Sequence, residues 1–411
     1  MRRPGWYETV AVSPGPHGVT PTTLLWLITG CLMLQPLSTD LYLATLPGMA
    51  GDFGVSAAAV QHTLSLFVIG FGTAQLVSGP LSDRFGRKPV MIGGLTLYLL
   101  SSAACAAAPT LPLLVVARFV QAIGCCTGVV VARAVIRDAY APAEGAKVLA
   151  RASSLLALAP IFGPILGGYL QVAFGWRAAF VALALAGLIV WIAALRRMRE
   201  SNSRTDTDAM RPDRLARSYL DVARSPAFWA YALPGTLSYA SIFAFISGTP
   251  FILIRVLGVP TEHYGYYFAC GVFGYLGGTL LCRRMIGRIG LQRSLEVGTI
   301  IGLVGGLGFL LMALVGFSSA ALVIAAQFVV MIAHGINFPS AQAGSLAPFP
   351  DKAGAAAGLF GFISMLGAFF TGMWVGSSHD GTILPLASTS ATVSVGLFVS
   401  ARLLARHVRK A

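Results

Sequence analysis

The sequence predicts an all-α integral membrane protein, with twelve transmembrane helices in two pseudo-symmetric bundles of six. Three observations predict this fold: an apolar composition, twelve long apolar runs, and basic residues concentrated in alternate connections. Of the 411 residues, 56% are hydrophobic and 11% are charged, whereas charged residues make up about a quarter of a typical soluble domain. A chain this apolar cannot cover a water-facing surface with polar groups, so lipid must be the solvent for much of it.

The apolar runs are long enough to cross a bilayer, which takes about 20 residues in a helix. They cover residues 22–46, 58–80, 89–108, 111–135, 147–171, 176–196, 226–254, 262–286, 293–315, 319–342, 354–377 and 382–405. The predicted organisation is a cytoplasmic N-terminal segment (1–21), a first bundle (22–197), a cytoplasmic linker (198–225), a second bundle (226–405) and a cytoplasmic tail (406–411). The linker is polar and has no evident apolar periodicity, and we expect it to be flexible.

The distribution of positive charge predicts the orientation. Of the 29 lysines and arginines, all but Arg118, Arg177 and Arg255 lie in connections on the side of the N-terminus, or at the adjoining helix ends. Because cytoplasmic loops carry such an excess, both termini are predicted to be cytoplasmic. The net charge of +14 does not indicate nucleic acid as a partner, since no single soluble module collects the basic residues.

The connection between the second and third runs, Gly79–Lys88, carries the clearest motif in the chain. Gly79 permits close helix packing, and Gly86 permits a tight turn. Asp83 can pair with Arg84 or Arg87, and such a pair can act as a latch that holds one conformation. The alternative is that the basic residues only anchor the loop in the cytoplasm.

A shorter echo of this loop supports an internal duplication. Arg288-Ile289-Gly290 follows the second run of the C-terminal half, as Arg84-Phe85-Gly86 does in the N-terminal half. This placement is typical of parallel repeats. Gly287 stands where Asp83 would align, so a latch built on the carboxylate is predicted in one half only.

Asp40 and Arg118 are the predicted proton-coupling residues. Asp40 is an ionisable residue within the first apolar run, and Arg118 lies at a similar predicted depth in the fourth. Ionisable groups inside a membrane are costly and mark functional sites. A carboxylate in an apolar cavity can take a proton, and an arginine beside it opposes that uptake. A static ion pair, and a wet and inert position for Asp40 at the outer interface, remain the alternatives.

The fifth run carries small residues and prolines that predict close contact across the interface between the halves. The residues are Gly163, Pro164, Gly167 and Gly168. Polar and aromatic residues inside other runs are candidates for a substrate cavity. The alternative is that they only pack between helices, and for the histidine this would be a hydrogen-bonded packing role. These candidates are Tyr42, Gln61, Gln121, Tyr239, His334 and Asn337.

Several of these segments resemble known transporters. The loop Gly79–Lys88 matches every specified position of the major facilitator superfamily signature, G-x-x-x-D-R-x-G-R-(R/K), and the fifth run resembles the antiporter motif of that superfamily's exporters. Four further segments resemble the bicyclomycin/chloramphenicol-resistance (Bcr/CflA) drug exporters: Asp40-x-Tyr42-Leu43-x-x-Leu46-Pro47, Arg118-Phe-Val-Gln121, Arg133-Ala-Val-Ile-Arg137-Asp138 and Asn337-Phe338-Pro339. One departure is Ala44-Thr45, where the family usually has Pro-Ala.

The resemblance implies a proton-coupled multidrug exporter of the bacterial inner membrane that works by alternating access. It implies a small hydrophobic or amphipathic drug-like substrate, the proton motive force as driver, no cofactor, and a monomer. An exporter or importer of a small metabolite is the alternative. An enzyme or sensor is disfavoured, because the sequence has no evident nucleophile–base set, metal-ligand cluster or phosphate loop.

Overall fold

The computed structural model describes residues 21–202 and 205–408, and these residues form helices without a strand. The predicted all-helical architecture is confirmed. Parts of the predicted N-terminal segment (1–20), the linker (203–204) and the tail (409–411) lie outside the described residues. The helices are α1 (Pro21–Asp40), α2 (Leu46–Asp52), α3 (Ala57–Phe85), α4 (Arg87–Ala107), α5 (Leu111–Ala139), α6 (Pro142–Leu156), α7 (Ala159–Phe174), α8 (Arg177–Arg197), α9 (Pro212–Ala223), α10 (Pro226–Pro250), α11 (Tyr264–Ile289), α12 (Leu291–Leu314), α13 (Ala320–Leu346), α14 (Ala353–Ser377) and α15 (Leu384–Val408).

The length and composition of the helices agree with a membrane protein, but the predicted count of twelve spans is not confirmed. Within the described part of the chain, ten helical segments are long and apolar enough to cross a bilayer. The helix α7 is apolar but has 16 residues. The helix α11 has 26 residues, yet its glycines, tyrosines and three arginines keep it out of the ten.

Three predicted spans are interrupted, and the interruptions shape the site. The first span breaks after α1, where a 3₁₀ turn at Leu43–Thr45 leads into α2. The fifth is divided into α6 and α7 at residues 157–158. The seventh continues from α10 into a π-helix, Phe251–Val256. Irregular backbone at membrane depth is tolerated where protein surrounds it, and Leu43–Thr45 is fully buried.

Small residues bring the helices of the two halves together. The helix α3 packs along α14, where a Cβ added at Gly72 would lie 2.7 Å from the Cβ of Met365 and one added at Gly376 would lie 2.7 Å from Cγ of Gln61. The start of α11 packs on α7 because Gly265 lies against the backbone of Ile165. Such close backbone approach is how membrane helices associate without a hydrophobic driving force.

The expectation of a flexible linker is wrong for residues 212–223, which form the helix α9. Leu215, Tyr219 and Val222 recur at helical spacing, so the segment does have an apolar face. Val222 is fully buried in a cluster with Phe228 and Phe360 of the C-terminal half. The apolar face is hard to recognise in the sequence because these three residues are separated by arginines and aspartates.

Polar contacts tie α9 to both halves. The Tyr219 hydroxyl donates to the Leu76 carbonyl of α3 at 2.7 Å. Lys352, in the turn before α14, lies 2.6 Å from the Asp221 carboxylate. The Lys352 ammonium donates a hydrogen bond to this carboxylate and so holds the pKa of Asp221 below its usual value. The linker is therefore attached to both halves. It lies at the same end of the molecule as the loop Gly79–Lys88, and we call this end the motif end.

Candidate functional site

Asp40 is the last residue of α1 and lies beside the break in the first span. The residue is 5% exposed, and the Thr39 hydroxyl donates to one of its carboxylate oxygens at 2.9 Å. Gly163 of α7 lies against it, since a Cβ added at Gly163 would be 3.5 Å from the Cβ of Asp40. Tyr239 of α10 and Tyr264 of α11 are its electrostatic neighbours from the other half. The turn that follows, Leu43–Thr45, contacts α10. Asp40 therefore lies where the two halves meet.

Arg118 of α5 is fully buried inside the N-terminal half. Its guanidinium donates to the Ser38 carbonyl at 2.9 Å and to the Gln121 side-chain oxygen at 2.5 Å. It also lies over the rings of Tyr42 and Phe67, at 4.3 and 4.2 Å from their centres. Ser38 is in the last turn of α1, where unpaired carbonyls and the helix dipole attract a cation. Arg118 thus stabilises the end of α1 next to Asp40.

The predicted pairing of Asp40 with Arg118 is not present in this structure. Neither Asp40 nor Arg118 forms an ion pair with any residue that the structure describes. The two side chains have different neighbours. Arg118 lies in the core of its own half, whereas Asp40 lies against Gly163 of α7. The two residues are nevertheless close in space, since Arg118 donates to the carbonyl of Ser38, two residues before Asp40. Their roles in proton coupling stay predictions.

Three of the six predicted cavity residues lie in the N-terminal half. Tyr42 is fully buried against Arg118 and Phe180. Gln121 is also fully buried and donates to the Ser102 hydroxyl at 2.7 Å. Gln61 donates to the Ser247 carbonyl of α10 at 2.6 Å, so it joins the two halves at the end opposite the motif end.

The other three lie in the C-terminal half. His334 accepts or donates a hydrogen bond at Nδ1 with the Ser238 hydroxyl, 3.0 Å away. Its ring lies 5.1 Å from that of Phe338 and 6.0 Å from that of Tyr239, centre to centre. Asn337 is fully buried and packs against Gly298 of α12. Phe338 stacks on the His334 ring and lies at a tilt against the Tyr239 ring. It belongs to this aromatic cluster but was not among the six candidates, although the segment Asn337-Phe338-Pro339 had indicated it.

The motif loop contains the predicted pair of Asp83 with Arg87. The guanidinium of Arg87 lies 2.6 Å from the Asp83 carboxylate and 2.8 Å from the Asp138 carboxylate at the end of α5. It also donates to the Ser82 hydroxyl at 2.7 Å. Arg84 has no ion pair among the described residues and lies over the Phe85 ring. The loop therefore binds α3, α4 and α5 together through one guanidinium.

Glu200, which follows α8, is a contact of the loop that sequence reasoning missed. Its carboxylate accepts hydrogen bonds from the backbone N–H groups of Arg87 and Lys88, at 2.8 and 3.0 Å. These are the first two N–H groups of α4, where a carboxylate satisfies orphan donors and complements the helix dipole. The contact joins residues more than a hundred positions apart, and no local pattern could indicate it.

The two repeated loops share a backbone conformation but not the ion pairs. Gly86 ends α3 with φ +93°, and Gly290 ends α11 with φ +83°. L-residues with side chains rarely adopt such angles. In the part of the chain that the structure describes, no ion pair involves Arg283, Arg284 or Arg288. The shared turn supports the predicted repeat, and the missing pair agrees with Gly287 in place of an acid.

The glycines of the fifth span lie where α7 contacts its neighbours. Gly167 lies directly against the Leu41 carbonyl, at the break in the first span. A Cβ added at Gly168 would be 2.7 Å from the Thr261 carbonyl oxygen of the other half, and Pro164 lies against Gly265. The predicted contact of this motif with the opposite half is therefore present, and the motif also contacts the residue that follows Asp40.

The two halves contact each other at the end opposite the motif end, and a cavity lies between them at the motif end. Besides the α7–α11 contact, the Arg255 guanidinium donates to the Pro47 carbonyl at 2.7 Å. At the motif end a cavity of about 390 Å³ is enclosed by α3, α5, α9 and the start of α14.

Known proteins resemble this chain in sequence and in fold. A bicyclomycin resistance protein homolog of Haemophilus influenzae is 27% identical over 391 residues, which are 94% of this chain and 98% of that protein. The multidrug resistance protein MdtL of Escherichia coli is 30% identical over 238 residues, 58% of this chain and 60% of MdtL.

Solved structures of two transporters share the fold. A bacterial homolog of the human lysosomal transporter Spinster, inward-facing and unoccupied, has a TM-score of 0.67 at 17% identity and covers 93% of this chain and 94% of its own. A D-xylose–proton symporter has a TM-score of 0.70 at 13% identity, with 92% and 97% covered. The sequence profile of the Major Facilitator Superfamily matches residues 28–372, and this chain, a multi-pass membrane transporter, belongs to that superfamily.

Proposed function

We propose that this transporter exports amphipathic drug-like molecules from the cell in exchange for protons. The observation that carries the proposal is the position of Asp40, a buried carboxylate between the two halves with no ion pair among the described residues. The names of the relatives, a bicyclomycin resistance protein homolog and a multidrug resistance protein, support drugs as the exported class.

An uncompensated carboxylate at this position is suited to binding and releasing a proton. Burying an ionised carboxylate without a partner costs much free energy, so burial favours the neutral form, and exposure to water favours the ionised form. Asp40 contacts Gly163 of its own half and lies near Tyr239 and Tyr264 of the other. When the halves separate at this point, water reaches the carboxylate and the proton can leave. Protonation is thereby coupled to the relative position of the halves.

The contacts and the cavity at the two ends of the molecule support alternating access as the mechanism. The end opposite the motif end is closed by contacts of Gln61 with Ser247 and of Arg255 with Pro47. The cavity at the motif end then admits substrate from the cytoplasm, because the positive-inside rule assigns this basic end to the cytoplasm. The inner membrane supplies the driving force, worth about 2.3 kcal/mol per proton charge per 100 mV. The proton motive force takes the place of a cofactor.

The proposal is tested in everted membrane vesicles from an efflux-deficient host that expresses the chain. Resistance to a panel that includes bicyclomycin and chloramphenicol identifies exported drugs. In vesicles, each exported drug should then release protons from an acidified lumen, as a pH-sensitive dye reports. Asp40→Asn should abolish this proton release while the protein remains inserted. Asp52→Asn, which changes an exposed carboxylate at the end of α2, is the matched control and should leave it intact.

Two results would contradict the proposal. One is full drug-dependent proton release by Asp40→Asn, because the coupling carboxylate would then be elsewhere. The other is a chain that gives no resistance to any drug of the panel and takes up or exports a small metabolite instead. Reversing the imposed pH gradient separates uptake from export in the same vesicles.

A further inference from the structure

We propose that the cavity at the motif end binds the acidic group of an amphipathic organic anion through Arg133, so that the exported molecules include carboxylates. The inference rests on the proposed export function, and it adds a substrate class and a specificity-determining residue. It is carried by the charges that face the cavity and by the position of Arg133 within α5.

Most charged groups that line the cavity are already neutralised by partners. Arg87 pairs with Asp83 and Asp138, as described above. Arg214 of α9 pairs with Asp206 at 2.7 Å, and Lys352 pairs with Asp221.

Arg133 and Arg137 are the exceptions on α5. Both line the cavity and are exposed to it, and neither makes an ion pair or a side-chain hydrogen bond with any residue that the structure describes. The lining carboxylate without an ion pair is Asp351, in the turn just before α14. The α5 wall of the cavity therefore carries two unpaired positive charges.

Arg133 is one of the basic residues on the predicted cytoplasmic side, but it lies further inside its helix than the charges in the loops. Charges that orient a membrane protein lie in loops and at helix ends. Arg133 stands six residues before the end of α5 at Ala139, which is about 9 Å into the helix. Its neighbours in the chain, Ala132 and Ala134, are buried. Arg133 and Arg137 are also four residues apart on one helix face, where like charges repel. An anion between them would relieve that repulsion.

The chemistry of the site selects an acidic group on a small molecule. A guanidinium presents a planar fork of donors that matches a carboxylate in two hydrogen bonds. The cavity volume of about 390 Å³ falls within the range of small-molecule sites, roughly 300–1,000 Å³. Apolar lining from Val130, Leu215 and Ala355 can hold the rest of an amphipathic molecule. A cationic drug would meet unpaired arginines here and would be disfavoured.

The test compares acids with their own methyl esters, which differ in charge and little in shape. Nalidixic acid and fusidic acid, each beside its ester at about pH 7.5, are bound to the purified full chain in a neutral detergent. Affinity is read from ligand-induced stabilisation against thermal unfolding. For the wild-type chain we expect each acid to bind about tenfold more tightly than its ester, as a charge-assisted hydrogen bond predicts.

Variants then locate the preference. Arg133→Gln should bring the acid-to-ester ratio close to one and leave ester affinity unchanged. Arg133→Lys keeps the charge without the fork and should give an intermediate ratio, and it also serves if Arg133→Gln does not fold. Arg197→Gln, an exposed arginine at the end of α8 and outside the cavity lining, should keep the full preference.

The outcomes separate this inference from the proposed function. Equal binding of acid and ester by the wild-type chain, or equal loss of both in Arg133→Gln, would overturn the anion site. The second result would mean that Arg133 serves folding or closure of the motif end. Asp40→Asn should retain the preference for acids while losing proton-coupled transport. A preference for acids in a chain that exports no drug would therefore leave the anion site standing and refute only the export proposal.

Discussion

Two glycines of the same helix turn should respond in opposite ways to alanine. At Gly167 an added methyl group would overlap the Leu41 carbonyl, with the carbonyl carbon 2.8 Å away. At Gly163 the nearest atoms, Cβ of Asp40 and N of Leu41, would both be 3.5 Å from the new methyl group, an ordinary contact. The two substitutions are chemically identical and four residues apart, so each is the control for the other.

The expected cost follows from these distances. Carbon atoms pack best at about 3.5–4.0 Å, so the carbonyl carbon alone requires α7 and the backbone at Leu41 to separate by roughly 0.7 Å to accept Gly167→Ala. The carbonyl oxygen lies closer still to the added methyl group, so the full displacement is larger. Overpacking of this kind costs about 1–3 kcal/mol. Because backbone atoms and not a flexible side chain are in the way, we expect the upper part of this range.

The assay is thermal unfolding of the purified variants, together with drug resistance of cells that express them. Gly167→Ala should lower the unfolding midpoint by at least ~2 °C and reduce resistance. Gly163→Ala should leave both close to the wild-type values. If Gly167→Ala is neutral, or if Gly163→Ala is the more harmful, then α7 does not pack on the break in the first span as the structure has it.

Three further outcomes are expected. Asp138→Asn removes one of two carboxylates from Arg87, and the initial rate of drug efflux in vesicles should fall by about tenfold, because a charged hydrogen bond of the loop is lost; an unchanged rate would speak against the loop as a latch. Arg118→Lys keeps the charge but loses the fork and the ring contacts, and thermal unfolding should show a loss of about 1–3 kcal/mol; unaltered stability would exclude a role for these contacts in holding α1. Lys352 holds the pKa of Asp221 below its usual value, so their contact stabilises the fold at neutral pH and is lost as pH falls through that lowered pKa. The unfolding midpoint of Lys352→Gln should therefore lie below that of the wild-type chain at pH 7, and the difference should shrink as the pH falls below about 4. A difference that stays the same as the pH falls would disprove the contact.

The sequence predicted the membrane-spanning, all-helical fold because hydrophobic runs and charge placement act over whole helices. It also predicted the pair of Asp83 with Arg87, since residues four apart on a helix end lie on one face. The helix α9 was not predicted, although its apolar face is readable once Leu215, Tyr219 and Val222 are aligned. The contact of Glu200 with the start of α4 could not be predicted from the sequence, because only the tertiary structure brings that carboxylate to the loop.

The site shows the same division between local and tertiary information. The sequence identified Asp40 as an unusual intramembrane acid, and the structure places it between the halves. The sequence could not determine the direction of the Arg118 side chain, because depth along a helix says nothing of which neighbour a guanidinium reaches. The similar predicted depth of Asp40 and Arg118 suggested that they pair. In the structure, the Ser38 carbonyl and two aromatic rings contact the Arg118 guanidinium instead.

The orientation of Asp40 is consequently set by backbone contacts on both sides of the break in the first span. Arg118 holds the Ser38 carbonyl from inside the N-terminal half, and Gly167 lies against the Leu41 carbonyl from α7. Asp40 is between these two fixed points. The helix α7 also carries Pro164 and Gly168, which contact Gly265 and Thr261 of the other half. A movement of the C-terminal half at this end must therefore displace α7, and through Leu41 it reaches the carboxylate. If Asp40 carries the proton as proposed, this path gives Arg118 and Gly167 a positioning role there without any ion pair to Asp40.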